Sequence, residues 1–289
     1  MPRPALLAVL AAAAATACSK PAADDASASD TSANASAALG PNAAAATPVP
    51  PSGSAAPGAP ATAAARDTGW VALFDGTPAS LANWKGYRKL EPPASWRVEE
   101  GALALVPGAG PAPAPGTSTG GDLVTREQFG DFELEYEWRV PPGANSGVMW
   151  RVSEDQASTW ESGPEMQILD DDRHLDRRFP SHRAGALYDL VVPPAGLTKP
   201  VGQYNQARIV VRGMRAQLYL NGRQTADVDF ASDSGRALVA ASKFKDMPRY
   251  ARNERGHIAL QDHGDRVWFR NVRVRRLDGG LAPSASGDR

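Results

Sequence analysis

The sequence predicts an all-β domain, a sandwich or jelly roll, because it is built of short strands divided by turn residues and holds no convincing amphipathic helix. Two further observations set its limits. Up to about residue 66 the chain is dominated by Ala, Pro, Ser, Thr and Gly. Such a segment cannot bury enough apolar surface to offset its ordering entropy. From Thr68 onward come all seven tryptophans and every Phe and Tyr, which confines the core-forming material to about residues 67–278. That length suits one domain.

Each strand has its own signal. Residues 69–76 read as a strand ending in an Asp-Gly turn, and residues 96–105 as a hairpin around Glu100-Gly101. Phe132 to Trp138 alternates strictly, apolar on one face and Glu133, Glu135 and Glu137 on the other, the pattern of a solvated sheet face. Residues 208–213 and 216–222 make another hairpin, with an Asn-Gly turn. The last strands are His257 to Gln261 and Val267 to Arg275. The Pro- and Gly-rich stretch 106–121 reads as a long loop, and no internal repeat is visible.

Residues 1–18 read as an export signal, with Arg3, an apolar run from Ala5 to Ala15, and small residues before Cys18. The run is too short to span a bilayer. Cys18 is the single cysteine, so no intramolecular disulfide can form. Its setting, Ala15-Thr16-Ala17-Cys18, resembles the lipobox of bacterial lipoproteins, with Ala where Leu is commoner. The resemblance implies cleavage before Cys18 and a lipid anchor on its sulfur. Ser19 rather than Asp after it implies an address at the periplasmic face of the outer membrane or the cell surface. Residues 19–66 are then a disordered tether and 279–289 a flexible tail. Net charge is −1 with no basic cluster, which argues against nucleic acid as a partner.

Four polar clusters interrupt the alternation of the strands. Asn145 leads a strand that carries Trp150 and Arg151; Glu165 and Gln167 share one face ahead of Asp170; Tyr188 follows His182 and Arg183; and Gln261 and His263 precede Trp268 and Arg270. A carboxylate, amides, an imidazole and a guanidinium with aromatics nearby (Trp150, Trp160, Tyr188, Trp268) form the mixture a carbohydrate site needs. Rings stack on pyranose faces and bidentate groups hold hydroxyl pairs. The run Asp170-Asp171-Asp172 could ligate a divalent cation through oxygen, though such a run reads first as a solvated turn. No Cys/His zinc spacing is present.

A resemblance emerges from these segments in order. Leu73-Phe74-Asp75-Gly76, Trp84, Gly121 to Thr125, Asn145-Ser146-Gly147, Gly163-x-Glu165-x-Gln167-x-x-Asp170, Gly185-x-x-Tyr188-Asp189, Asn221-Gly222 and Leu260 to Gly264 with Trp268 to Asn271 resemble the 3-keto-disaccharide hydrolase domain family. The resemblance implies a concanavalin A-like jelly roll that acts on 3-keto-glycosides, which partner oxidoreductases make by oxidising a sugar at C3. Two departures are Tyr204, where the family usually has Trp before the Asn, and the Pro-rich insertion at 106–121.

Ordinary glycosidases set two carboxylates across the scissile bond, and Glu165-x-Gln167 supplies one. A 3-keto group offers another route. The ketone acidifies the C2 proton, a base removes it, the C1 substituent leaves, and water adds. Expected roles are His263 as acid/base, Glu165 as base or metal ligand, and Arg151 or a divalent cation at the enolate oxygen. Tyr188 is a second candidate proton donor, and Gln167 and Gln261 orient the sugar with Arg151. Asn145, Trp150 and Arg270 complete the expected binding set, and Asp170 the expected metal set. The alternative function is a non-catalytic carbohydrate-binding lipoprotein of the envelope.

Overall fold

The structure is a computed structural model in which residues 69–108 and 121–277 are described. The export signal, Cys18, the tether, residues 109–120 of the insertion and the C-terminal tail lie outside the described residues. In chain order the strands are β1 (Trp70–Phe74), β2 (Trp84–Gly86), β3 (Trp96–Glu99), β4 (Ala102–Leu105), β5 (Leu123–Thr125), β6 (Phe132–Arg139) and β7 (Asn145–Val152). They continue as β8 (Glu165–Leu169), β9 (Asn205–Arg212), β10 (Arg215–Leu220), β11 (Arg223–Asp229), β12 (His257–Leu260) and β13 (Val267–Arg276). Two antiparallel sheets result. One runs β11-β10-β9-β6-β13-β4-β3, with β1 pairing to the distal part of β13, and the other runs β2-β5-β12-β7-β8.

Alternation decides which side chains face the core. From the larger sheet Phe132, Leu134, Tyr136 and Trp138 point inward; from the smaller sheet come Val148, Trp150, Met166, Ile168, Ile258 and Leu260. Each large side chain removed from water in this way stabilises the fold by roughly 1.5–3 kcal/mol. Trp84 is fully buried and donates its indole N–H to Leu73 O at 2.9 Å, which clamps β1 and β2 together. The expected hairpin at 96–105 turns through Glu100 and Gly101, both at positive φ; the expected pair 208–213 and 216–222 is β9–β10, turning at Gly213, and the Asn221-Gly222 turn leads on into a further strand, β11.

One element departs from expectation. An α-helix, α1 (Asp233–Ala241), follows β11, capped by Ser232 Oγ, which accepts from Gly235 N at 3.0 Å. Gly235 is required there because a Cβ would stand 2.0 Å from Asp229 O. Nine residues with Leu238 and Val239 as their large apolar side chains give too short an apolar stripe to read as a helix. The helix matters because the chain leaving it carries Lys243 to the candidate site.

Candidate active site on the outer face of the smaller sheet

The outer face of β7, β8 and β12 holds one cavity of about 450 Å³, in the range of small-ligand sites. Its floor follows from strand register. Gly147 pairs with Gln167 and Met149 with Glu165, so the outward residues of β7 and β8 include Asn145, Gly147, Met149, Glu165 and Gln167. Gly147 leaves the room for Glu165: a Cβ at that position would fall 1.9 Å from Glu165 Oε1. The segment after β8 extends the sheet edge, with Gln167 N donating to Ala186 O at 3.1 Å and Tyr188 N to Glu165 O at 3.0 Å. This backbone pairing is what brings Tyr188 into the cavity wall.

The far side comes from β12 and the turn after it. Gln261 N donates to Gly147 O at 2.9 Å and Ser146 Oγ to Gln261 O at 2.9 Å, which sets Gln261 and His263 against Asn145. Asn145 Nδ2 stands 3.5 Å from His263 Nε2, and Asn145 N donates to Asp265 Oδ2 at 3.0 Å. The roof includes Trp160, on a turn closed by Ser158 and Glu161 as a capping box. Thr159 donates to Asp122, whose other oxygen accepts from Asp262 N at 2.8 Å, and Asp262 accepts from Gly121 N at 3.1 Å. These contacts bind three loops around the opening.

Burial pushes the two central groups in opposite directions. Glu165 is 4% exposed, and burial raises its carboxyl to about 8 despite the opposing charge of Lys243, with Asp122 adding to the rise. With its amide N–H₂ turned toward the carboxyl, Gln167 donates to Glu165 Oε1 at 3.1 Å and to Ser146 O at 3.0 Å. His263 is lowered from the ordinary imidazole value, chiefly by burial and against the charge of Asp265. At neutral pH Glu165 therefore holds a proton and His263 lacks one. That is the arrangement of an acid and a base poised in one site. Asp122 is raised to about 6, by burial first and by the charge of Asp262 last.

Of the residues expected from sequence, Glu165, His263, Asn145, Gln167, Tyr188 and Gln261 converge on this cavity. Four others do not. Arg151 has φ 52°, and the register of β7 against β12 shifts beside it, so its side chain leaves the outer face. It donates to Gly130 O at 3.1 Å and Gly213 O at 2.7 Å and pairs with Asp131 at 3.1 Å, which makes it a buried clasp between loops. Trp150 alternates inward into the core. Arg270 lies on the outer face of the larger sheet, 2.7 Å from Glu137 and over the ring of Tyr204 at 3.8 Å. Asp170 accepts from Gly143 N at 2.6 Å and Asp172 N at 3.0 Å, pinning a turn. Among the described residues no group of three or more His, Cys, Asp or Glu is placed to hold a metal ion, so Asp170 does not fit a cation site.

Sequence reasoning missed Lys243, Asp122 and Thr159 as cavity residues. Asp122 stood within a recognised segment but without a role. Lys243 carried no signal, since it reaches the cavity only through the unforeseen helix.

Known proteins match the chain at several levels. The model of the 3-keto-alpha-glucoside-1,2-lyase-like domain family matches residues 69–275. A curated protein of Bacteroides thetaiotaomicron named 3-keto-disaccharide hydrolase is 32% identical over 233 residues, covering 73% of this chain and 79% of its own length. Two crystal structures from Parabacteroides distasonis, each provisionally designated a glycosyl hydrolase, share the fold. They align with TM-scores of 0.63 and 0.56 at 25% and 24% identity, over 72% of this chain and 94% and 99% of theirs.

Proposed function

The chain belongs to the 3-keto-alpha-glucoside-1,2-lyase-like domain family and is a carbohydrate-cleaving hydrolase, and we propose that it cleaves 3-keto-glycosides by elimination followed by hydration. The observation that carries this reading is the opposed pair in the cavity, a carboxyl that keeps its proton and an imidazole that has given its proton up. Double-displacement or direct glycoside hydrolysis needs two working carboxylates. The other acids at the opening, Asp122 and Asp262, are occupied by Thr159 and by backbone N–H groups.

The reaction uses both groups in turn. His263 removes the proton at C2, and the C3 carbonyl takes up the electron pair as an enolate. As the carbonyl re-forms, the C1–O bond breaks and Glu165 gives its proton to the departing oxygen. The products of this half are an enone, an imidazolium and a carboxylate. Water then adds at C1, Glu165 takes a proton from it, and His263 returns its proton to C2. Both residues end as they began, and the net change is addition of water across the glycosidic bond. This exchanges the expected roles in part: His263 is the base and Glu165 the acid that serves the leaving group. Asn145, Gln167 and Gln261 offer amides to ring hydroxyls, and Trp160 offers a ring face.

The test compares 4-nitrophenyl 3-keto-glucoside with the unoxidised glucoside. Release of nitrophenol from the first alone is expected, and His263→Ala should lower kcat on it by about 10²–10⁴-fold. Near-normal turnover by that variant contradicts the role of His263. The proposal also keeps Cys18 as a lipid anchor and an oxidoreductase acting at sugar C3 as the source of substrate. Incorporation of labelled palmitate, lost on Cys18→Ala, checks the anchor.

A further inference from the structure

The elimination just described, on which this inference rests, leaves one charge without an owner. When C2 loses its proton, negative charge develops on the C3 oxygen, and an enclosed site must meet that charge with a donor already in place. The residues expected for that duty were Arg151 or a bound divalent cation. Arg151 is instead committed to Gly130, Gly213 and Asp131, and Asp170 holds a turn.

Among the described residues lining the cavity, Lys243 is the one lysine or arginine. Its Nζ lies 4.3 Å from the centroid of the Tyr188 ring and 5.8 Å from that of Trp160, so it stands beside the aromatic wall of the cavity. No carboxylate among the described residues comes within ion-pair distance of it, whereas Lys85 meets Glu154 at 2.6 Å and Arg215 meets Asp227 at 2.7 Å. The backbone beneath it is fixed, because Lys243 N donates to Asp189 Oδ2 at 2.9 Å, and Asp189 in turn meets His182 Nε2 at 3.2 Å. His182 stacks on the other partner of that wall, Tyr188, with centroids 4.3 Å apart.

We infer that Lys243 is a catalytic residue whose ammonium hydrogen-bonds the C3 oxygen and stabilises the enolate, and that it thereby selects 3-keto sugars over unoxidised ones. Burial of the amine lowers Lys243 from the ordinary lysine value, and the charges of Glu165, Asp189 and Asp176 oppose that lowering and favour the ammonium. As His263 takes the C2 proton the new negative charge is met at once, and no covalent bond to the nitrogen is formed or broken.

Leaving-group dependence separates this role from that of Glu165. Nitrophenolate departs without a proton, so Glu165→Gln should lose less on a nitrophenyl 3-keto-glucoside than on a 3-keto-disaccharide. Lys243→Met should lose about 10²–10³-fold in kcat on both alike, since enolate formation precedes departure in each. Lys243→Arg, which keeps the charge, should recover at least tenfold of that loss. Turnover by Lys243→Met within threefold of wild type overturns the inference while leaving the elimination intact. So does a mass adduct at Lys243 after borohydride treatment with the keto sugar, since that would mark an imine. If the wild-type protein itself releases nothing from either 3-keto substrate, the elimination reading falls and this inference with it.

Discussion

The two sheets carry glutamates on their outer faces and treat them in opposite ways. On the larger sheet Glu133, Glu135 and Glu137 lie across from arginines of β13 and β9. Glu133 meets Arg208 at 2.9 Å, Glu135 meets Arg273 Nε at 2.9 Å, and Glu137 meets Arg270 at 2.7 Å. Although burial pushes the Glu133 carboxyl up, hydrogen bonds from Arg208 and Arg275 outweigh it and hold the group below its usual range. On the smaller sheet the Glu165 carboxyl is more deeply enclosed and meets no arginine, and burial raises it to about 8. The same side chain is a surface strut in one sheet and a stored proton in the other. The difference lies in the neighbouring strand: β13 presents arginines, while β7 presents a glycine.

Breaking the unpaired glutamate should give the largest effect. Glu165→Gln should lower kcat on a 3-keto-disaccharide by about 10²–10⁴-fold. It should also make the protein more stable at neutral pH. A carboxyl raised in the folded state is destabilising only where the unfolded chain would ionise it. That cost is absent below about 4.5 and grows as the pH rises towards 8. Denaturation at pH 4 and pH 7 should therefore show a gain for the variant at pH 7 that disappears at pH 4. Equal stabilities at both values would mean that Glu165 is ionised in the folded protein.

Gly147→Ala sharpens the contrast by attacking the space rather than the group. The added Cβ displaces the Glu165 carboxyl, and both a loss of about tenfold or more in kcat and a destabilisation of about 1–3 kcal/mol are expected. Unchanged kinetics would show that the carboxyl need not lie over β7. Next in size is the pH profile of kcat/KM. It should fall on the acid side with a midpoint below the ordinary imidazole value of 6.5, and on the alkaline side near 8. Glu165→Gln should remove the alkaline fall alone. The smallest effect belongs to the paired glutamates: Glu135→Gln should change stability by under about 1 kcal/mol and leave turnover intact. A large loss of activity there would move the site to the wrong sheet.

Much of the fold was legible because strands of period two leave a direct mark. The alternation of Phe132 to Trp138, the turns at Glu100-Gly101 and Asn221-Gly222, and the pairing of Glu165 with Gln167 on one face all survive in three dimensions. Arg151 could not be placed from sequence, since alternation assumes an extended residue and its φ of 52° breaks the count, a conformation that an arginine does not announce. Arg270 shares a strand with core residues, and only the strand's membership in the larger sheet sends it away from the cavity. Lys243 is the reverse case. It lies beyond a nine-residue helix, and nothing in Ala-Ser-Lys-Phe-Lys distinguishes it from a solvated lysine until the chain is folded.

The most direct trial of the elimination is turnover in heavy water, followed by NMR of the released sugar. The proton that His263 takes from C2 exchanges with solvent as the imidazolium before water adds, so its return should leave deuterium at C2 of the product, and the label should appear no faster than His263 allows, so that His263→Ala slows it with cleavage. Products that keep protium at C2 while cleavage proceeds at the wild-type rate would contradict the mechanism, and would return the site to direct displacement at C1.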